Sequence, residues 1–257
     1  MSHKKGENVE GMEYFYEMFE GLPRAGPGDN ASTRRAFGAM KNLPPRPLIL
    51  DIGCGPGMQS IELAKISGGR VMAIDNHQPF LDALETEAKK QGVDDRIETK
   101  NVSMLDLEFK DETFDIVWSE GALYIMGFPR GLRLCRQLVK KSGYVAVTEA
   151  VLLSPHPPAP LMEFWEKEYP DIKDVQGNLA MIEQEGFSLQ SHFTLPAASW
   201  LDHFYTPLQR RLAVLTEKYR DNEEGLNVFR SAQKEIDLFE RYSDCYGYHF
   251  FIMRKDR

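Results

Sequence analysis

The chain has 257 residues, of which 42% are hydrophobic and 27% are charged, and its formal net charge at pH 7 is −8. These values are ordinary for a soluble globular protein with room for one large domain and an insertion. The negative charge argues against nucleic acid as a partner, because phosphate binding needs a cationic face. Since no apolar run approaches the roughly 18 residues of a membrane span, no membrane partner is expected either.

Three cysteines, Cys54, Cys135 and Cys245, are scattered along the chain. They are too few for a disulfide framework and too dispersed for a zinc site, so no metal is expected. No hydrophobic signal region follows Met1. Together these features predict a cytoplasmic protein in a reducing compartment.

The N-terminal segment, residues 1–46, is predicted to form helices. Four large apolar residues follow the i, i+3, i+4, i+7 spacing of an amphipathic helix: Met12, Phe15, Tyr16 and Phe19. This helix is expected to pack on the core. The alternative is a lid over a pocket, which the glycine- and proline-rich residues 21–28 behind it would support. A second helix is expected over Asp29–Lys41, capped near Ser32 or Thr33.

The first strand is predicted in residues 48–57, Leu-Ile-Leu-Asp-Ile-Gly-Cys-Gly-Pro-Gly. The apolar part is typical of a strand buried on both faces, and Gly53, Gly55 and Gly57 are typical of a tight turn where a ligand approaches bare backbone. A helical pattern follows, so the unit resembles the entry to a mononucleotide site. The alternative is a glycine turn that only reverses the chain.

The glycine spacing here is G-x-G-x-G, whereas a dinucleotide fingerprint is G-x-G-x-x-G. Asp51 lies directly before this turn. A carboxylate at that place repels phosphate, but it can support the amino group of a zwitterionic ligand. The pattern therefore favours a nucleotide-like ligand without a pyrophosphate.

The second strand, Arg70–Asp75, also ends in an acid, about 20 residues beyond the glycine turn. Adjacent parallel strands bring this acid to the same edge of the sheet as the turn, and a carboxylate can accept hydrogen bonds from two neighbouring hydroxyls. Asp75, with Asn76 beside it, is therefore predicted to bind a ribose. The alternative is a surface acid that stands there by chance.

Beyond Asn76, helical and strand patterns alternate, which predicts a parallel sheet with helices on both faces. After residue 152 several prolines interrupt regular structure, and aromatic-rich helical segments follow. The remaining predicted strands are Arg96–Val102, a fourth that runs through Trp118, Tyr144–Thr148, Phe187–Leu195 and Tyr246–Met253.

The motif D-x-G-x-G-x-G at residues 51–57 resembles the first motif of the class I S-adenosylmethionine (SAM) dependent methyltransferases. Residues 107–117, Leu-Glu-Phe-Lys-Asp-Glu-Thr-Phe-Asp-Ile-Val, resemble the L-P-F-x-D-x-S-F-D-x-V segment of that family. Four such motifs occur in order between about residues 47 and 150. Within the family the chain is similar to the small-molecule group that includes ubiquinone/menaquinone-type enzymes.

The resemblance implies an α/β fold with a doubly wound, seven-stranded, mostly parallel Rossmann-like sheet. Its last strand would run antiparallel between the fifth and sixth. A helical N-terminal lid, residues 1–46, would precede a SAM-binding domain, residues 47–257. Substrate-cap insertions, the second a helical C-terminal one, are expected at about residues 152–176 and 196–245.

The resemblance also implies site residues. The loop at Ser103 and Met104 touches adenine in the family, although an aspartate is usual where Ser103 stands. The expected cofactor-binding residues are Asp51, Gly53, Gly55, Gly57, Asp75, Asn76, Ser103, Met104 and Ser119. Glu120 and Tyr124 follow the fourth strand, where the family places acceptor-facing residues. His203 is a third catalytic candidate at the start of the cap, with a structural histidine as the alternative.

The expected function is therefore transfer of a methyl group from SAM to an oxygen, nitrogen or carbon atom of a small molecule. Because the sulfonium already activates the methyl group, no catalytic base is obligatory. Two alternatives remain: a SAM-binding sensor or subunit without activity, and an NAD-dependent oxidoreductase. The sequence does not identify the acceptor, and it does not decide whether the protein forms a homodimer.

Overall fold

A computed structural model describes residues 11–256. The first ten residues of the predicted N-terminal segment 1–46, and residue 257, lie outside the described residues. One mixed sheet is built from eight strands: β1 (Leu48–Ile52), β2 (Arg70–Asp75), β3 (Ile97–Asn101), β4 (Phe114–Glu120), β5 (Val139–Leu152), the two-residue β6 (Lys173–Asp174), β7 (Phe187–Thr194) and β8 (Tyr246–Lys255).

The seven longer strands lie in the order β3-β2-β1-β4-β5-β8-β7, and β6 pairs with the end of β5. β8 is antiparallel to both of its neighbours, and the other pairs are parallel. The predicted doubly wound sheet with an antiparallel last strand is confirmed. Because β2 and β4 lie on opposite sides of β1, the strand order reverses at β1, and such reversals are where open α/β sheets bind ligands.

The helices cover both faces of the sheet and extend beyond its edge. They are α1 (Met12–Phe19), α2 (Asn30–Gly38), α3 (Met58–Ser67), α4 (Gln78–Lys90), α5 (Phe128–Leu138), α6 (Ala159–Glu168), α7 (Val175–Gln184), α8 (Ala198–Trp200), α9 (Thr206–Lys218) and α10 (Glu223–Tyr242). A π-helical turn, Leu201–Tyr205, joins α8 to α9. Among residues 11–256, none of these helices has both the length and the apolar character needed to span a bilayer.

Three apolar cores hold these layers together. Two lie on opposite faces of the sheet, because the central strands are buried on both sides and alternate residues therefore pack in opposite directions. The third core joins α1 to the helices of the predicted insertions. Aromatic side chains dominate it, including Phe164, Trp200, Phe239 and Tyr246. The N-terminal helix and the C-terminal helices therefore pack together in one core, separate from the two cores on the faces of the sheet.

Two local predictions are wrong. α2 is capped by Asp29, whose carboxylate accepts from the Ser32 backbone N–H at 2.7 Å, so the cap lies earlier than Ser32 or Thr33. β5 is longer than the predicted strand Tyr144–Thr148, because it begins at Val139 and ends at Leu152. Ser142 has a φ of 64°, so the strand passes through an irregular turn without ending.

Candidate active site

A cavity of about 620 Å³ lies at the carboxyl ends of β1, β2 and β4. Its inner part is bounded by the glycine turn after β1 and by the loops after β2, β3 and β4. Its outer part is bounded by α1, α6 and α10. The position follows from the topology, because the loops on either side of β1 diverge there and leave a crevice.

The turn after β1 presents bare backbone to this cavity. The N–H groups of Gly53 and Cys54 both donate to the carbonyl of Ile74 at 2.9 Å, which ties the turn to β2. Gly53 has a φ of 69° and Gly55 a φ of 53°, in the left-handed region that favours glycine. A Cβ on Gly53 would lie 2.5 Å from the Cβ of Ala122, so glycine is also required by the lack of space.

Asp75 lines the cavity at the end of β2. One carboxylate oxygen accepts from the Gly55 N–H at 2.9 Å, and the other accepts from the His77 N–H at 3.0 Å. Burial raises the pKa of Asp75, against the opposing effect of these hydrogen bonds. The side chain therefore holds the glycine turn in place, and it is also positioned to accept hydrogen bonds from a ligand.

Three further predicted cofactor residues line the same part of the cavity: Asn76, Ser103 and Met104. The Tyr16 hydroxyl donates to Oδ1 of Asn76 at 3.2 Å, which links α1 to the loop after β2. The Ser103 hydroxyl accepts from the Leu105 N–H at 3.2 Å and so shapes the loop after β3. The sequence-predicted loops therefore meet around one space.

Asp51 lies behind the wall of the cavity and is fully buried. Its Oδ2 accepts from the Ser60 hydroxyl, and its Oδ1 has no hydrogen-bond partner among residues 11–256. Burial raises the pKa of Asp51 to about 7. This carboxylate therefore supports the turn from beneath, and its role as a cofactor-binding residue stays a prediction.

Gly57 and Ser119 also lie outside the cavity lining. A Cβ on Gly57 would lie 2.3 Å from a methyl group of Leu84, so this glycine allows α3 and α4 to pack closely. The Ser119 hydroxyl donates to the carbonyl of Ile52 at 2.9 Å and joins β4 to β1. Both residues stabilise the site without lining it, and their roles as cofactor-binding residues stay predictions.

Glu120 lines the cavity, but both of its carboxylate oxygens are engaged. Oε2 accepts from the Arg24 guanidinium at 2.9 Å, and Oε1 accepts from the Thr33 hydroxyl and the Trp118 indole N–H, each at 2.9 Å. The side chains of this ion pair are 6% and 4% exposed. These three hydrogen bonds anchor the N-terminal segment to β4, and a catalytic role for Glu120 stays a prediction.

Arg24 lines the cavity and was not identified by the sequence analysis. It belongs to the glycine- and proline-rich segment 21–28, and its other guanidinium nitrogen donates to Asn30 at 3.1 Å. A basic residue in a loop behind an amphipathic helix, followed by an acid after a sheet strand, is the signal that could have suggested the pair. The two partners are 96 positions apart in the sequence, so no local pattern connects them.

At the outer part of the cavity, Tyr124 belongs to the lining, whereas His203 does not. The Tyr124 ring lines the cavity, and its centroid lies 5.8 Å from that of Tyr169. His203 is exposed on the π-helical turn and does not line the cavity, so its catalytic role stays a prediction that the geometry does not support.

The inner part of the cavity fits SAM. Bare backbone at Gly53 and Gly55 permits close approach of the amino-acid portion, and the Asp75 carboxylate can accept from two ribose hydroxyls. Met104 and Ile74 offer apolar surface for an adenine ring. A cationic ligand would favour the ionised form of the buried Asp51 beneath the turn, whereas a pyrophosphate would oppose it.

Comparison with known proteins agrees with this geometry. A family model described as "Methyltransferase domain" matches residues 49–143. The 27-O-demethylrifamycin SV methyltransferase of Amycolatopsis mediterranei is 26% identical over 80% of this chain and 76% of its own length. Phosphoethanolamine N-methyltransferase 3 of Arabidopsis thaliana is 30% identical over 79% of this chain, although the match spans only 40% of that protein.

A solved SAM-dependent methyltransferase from Geobacter sulfurreducens, in complex with S-adenosyl-L-homocysteine, has the same fold. Its TM-score is 0.80 at 18% identity, and the superposition covers 94% of this chain and 97% of the other. The matched residues 49–143 contain the glycine turn, Asp75 and the loops after β3 and β4, which are the elements of the inner cavity. The chain is therefore a SAM-dependent methyltransferase that resembles the class I enzymes, which transfer a methyl group from SAM to an acceptor, here a small molecule.

Proposed function

We propose that the methyl acceptor binds in the outer part of the same cavity that holds SAM. The observation that carries this proposal is continuity: the glycine turn and the aromatic wall bound one space of about 620 Å³. Pockets of a few hundred to about 1,000 Å³ are typical of small-molecule sites. The acceptor would be walled by Phe15 on α1, Phe164 and Trp165 on α6, and Tyr248 on β8.

When bound, SAM supplies a methyl group already activated by the neighbouring sulfonium. The protein's task is then to hold the acceptor atom in line and to exclude water. Gly53, Gly55, Asp75, Asn76 and the Ser103–Met104 loop would hold the cofactor. The aromatic wall would orient the acceptor and keep the reacting atoms dry.

We further propose that residues 1–46 act as a lid and that the insertions at about 152–176 and 196–245 form the substrate cap of a domain spanning residues 47–257. α1 lines the cavity and is fastened to α9 and the residue after it: Glu17 accepts from Lys218 Nζ and from the Tyr219 hydroxyl, each at 2.7 Å. These contacts support a lid and a cap that enclose the acceptor together.

The narrower assignments are also proposals. The likeness to ubiquinone/menaquinone-type enzymes places apolar, planar acceptors first in a screen, and the aromatic wall supports that choice.

The three cysteines are unpaired, which supports a reducing, cytoplasmic location. A homodimer is proposed as the form to test by sedimentation. The relatives act on acceptors as different as a rifamycin and phosphoethanolamine, so a broad metabolite screen with radiolabelled methyl donor identifies the acceptor most directly.

The proposal is tested by calorimetric titration with S-adenosylhomocysteine. We expect Asp75→Ala to weaken binding at least tenfold, because it removes the acceptor of the ribose hydroxyls and the partner of the Gly55 N–H. Asp82→Ala is the matched control, since Asp82 is exposed on α4 and outside the cavity, and it should bind as the wild type does.

Unchanged affinity in Asp75→Ala would refute the assignment of the inner cavity. Formation of S-adenosylhomocysteine during incubation with SAM and a metabolite pool would distinguish an enzyme from a SAM-binding sensor or subunit. Fluorescence enhancement of NADH by the protein would instead favour the oxidoreductase alternative.

A further inference from the structure

Acidic side chains outnumber basic ones in the described lining of the cavity. Among the described residues of the lining, Arg24 is the one basic side chain, and Glu120 neutralises it at 2.9 Å. Asp75 belongs to the inner part. Two more carboxylates, Glu168 and Glu235, lie in the outer part. Oε1 of Glu168 is 3.7 Å from the ammonium of the exposed Lys167, which does not line the cavity, so the lining itself stays acidic. An anionic acceptor would meet repulsion there and no free cation.

Glu235 is held in place on α10. The hydroxyl of Tyr205, which is 1% exposed, donates to its Oε1 at 2.8 Å. Burial raises the pKa of Glu235, and the nearby charge of Glu168 raises it further. Two neighbouring carboxylates in a confined space repel each other, and a bound cation would relieve that repulsion.

Aromatic rings surround the same carboxylates. Tyr124, Trp165 and Tyr169 line the cavity, and the carboxylates of Glu235 and Glu168 lie near enough to act electrostatically on the Tyr124 hydroxyl. Rings of this kind bind organic cations through their faces. An aromatic wall with carboxylates beside it therefore combines two attractions for the same ligand charge.

Two buried polar groups near this wall lack partners among residues 11–256. The indole N–H of Trp165, a residue 8% exposed that lines the cavity, makes no hydrogen bond. Oε1 of Glu149, a residue 2% exposed whose carboxyl group is hydrogen-bonded to Tyr169, also has none. Unsatisfied buried polar groups are uncommon and call for an explanation, and a polar ligand at this place would supply one.

We propose that the acceptor is an amine with an apolar body, which enters as an organic cation between Glu235, Glu168 and the rings of Tyr124 and Tyr169, and that the methylated atom is its nitrogen. This inference rests on the proposed function and narrows it to one substrate class.

The chemistry balances without a further reactant. The ammonium form of the acceptor gives one proton to the Glu235 carboxylate. The nitrogen lone pair then forms the new N–C bond while the S–C bond breaks, and the electron pair of that bond remains on sulfur. The products are a methylated ammonium ion, S-adenosylhomocysteine and a protonated Glu235, which returns its proton to solvent.

The test uses three probes with one stem and different head groups: 2-phenylethylammonium, 2-phenylethanol and 3-phenylpropanoate. Each is titrated calorimetrically at pH 7 into the protein saturated with S-adenosylhomocysteine, so no turnover occurs. We expect the ammonium to bind at least tenfold more tightly than the alcohol, and the carboxylate most weakly. Glu235→Gln should reduce the preference for ammonium over alcohol at least fivefold.

Glu240→Gln, an exposed change on the same helix, is the matched control and should keep the preference. Equal affinity for ammonium and alcohol, tighter binding of the carboxylate, or no ammonium binding would overturn the inference. Titration of S-adenosylhomocysteine into each variant separates the possible failures. If the wild type does not bind S-adenosylhomocysteine, the proposed function is refuted. If it binds S-adenosylhomocysteine but shows the wrong head-group preference, only the amine acceptor is refuted.

Discussion

Glu149 provides a test of the electrostatics beneath the outer cavity. It lies in β5, is 2% exposed, and has a hydrogen bond to Tyr169. Burial raises the pKa of Glu149 from 4.5 to about 8. The neighbouring groups are Tyr124, Tyr169 and Tyr248, whose pKa values are raised, and His249, the residue paired with it on β8. Burial lowers the pKa of His249 to about 4, so that histidine is already neutral when Glu149 titrates.

Proton linkage gives the direction in which the free energy of unfolding changes with pH. Between pH 4.5 and 8 the folded protein holds a proton on Glu149 that the unfolded chain has released, so the free energy of unfolding falls as the pH rises. A shift from 4.5 to about 8 makes this loss about 3 to 4 kcal/mol between pH 5 and pH 8. Glu149→Gln keeps the shape of the protonated side chain and removes the proton.

The assay is urea unfolding at pH 5, 6, 7 and 8. We expect the free energy of unfolding of Glu149→Gln, minus that of the wild type, to rise by about 3 to 4 kcal/mol across this range. Asp51, whose raised pKa acts in the same window, cancels in the difference. Glu163→Gln, exposed on α6, is the control and should show a constant difference. A constant difference for Glu149→Gln as well would refute the reasoning.

Two further substitutions test the packing around the site. Gly57→Ala should lower the free energy of unfolding by about 2 to 4 kcal/mol in urea, because it combines a left-handed φ of 83° with a clash against Leu84, whereas Gly68→Ala, with a φ of 62° and open space, should cost only about 1 kcal/mol. Equal losses would contradict the close packing of α3 on α4. Arg24→Met should cost about 3 to 5 kcal/mol, because it leaves the Glu120 carboxylate buried and unpaired, and adding Glu120→Gln should restore part of that loss. No recovery in the double variant would show that the ion pair is not the cause.

The fold and the inner half of the site followed from the sequence because their determinants are local. Apolar runs that end in Asp51 and Asp75 indicated parallel strands, and neighbouring parallel strands must end at the same edge of a sheet. The structure indeed joins the Asp75 carboxylate to the Gly55 N–H. Short-range pattern and strand geometry were sufficient to bring these residues together.

Only the tertiary structure decided which side chains face the cavity at its outer part. Periodicity identified the helices of the cap but not how they pack, so His203 was expected inside and lies outside, while Glu235 was overlooked and lies inside. The ion pair of Arg24 with Glu120 likewise depends on how a loop folds back over a distant strand. Side-chain direction at such places is set by long-range packing of helices, which no local pattern in the sequence encodes.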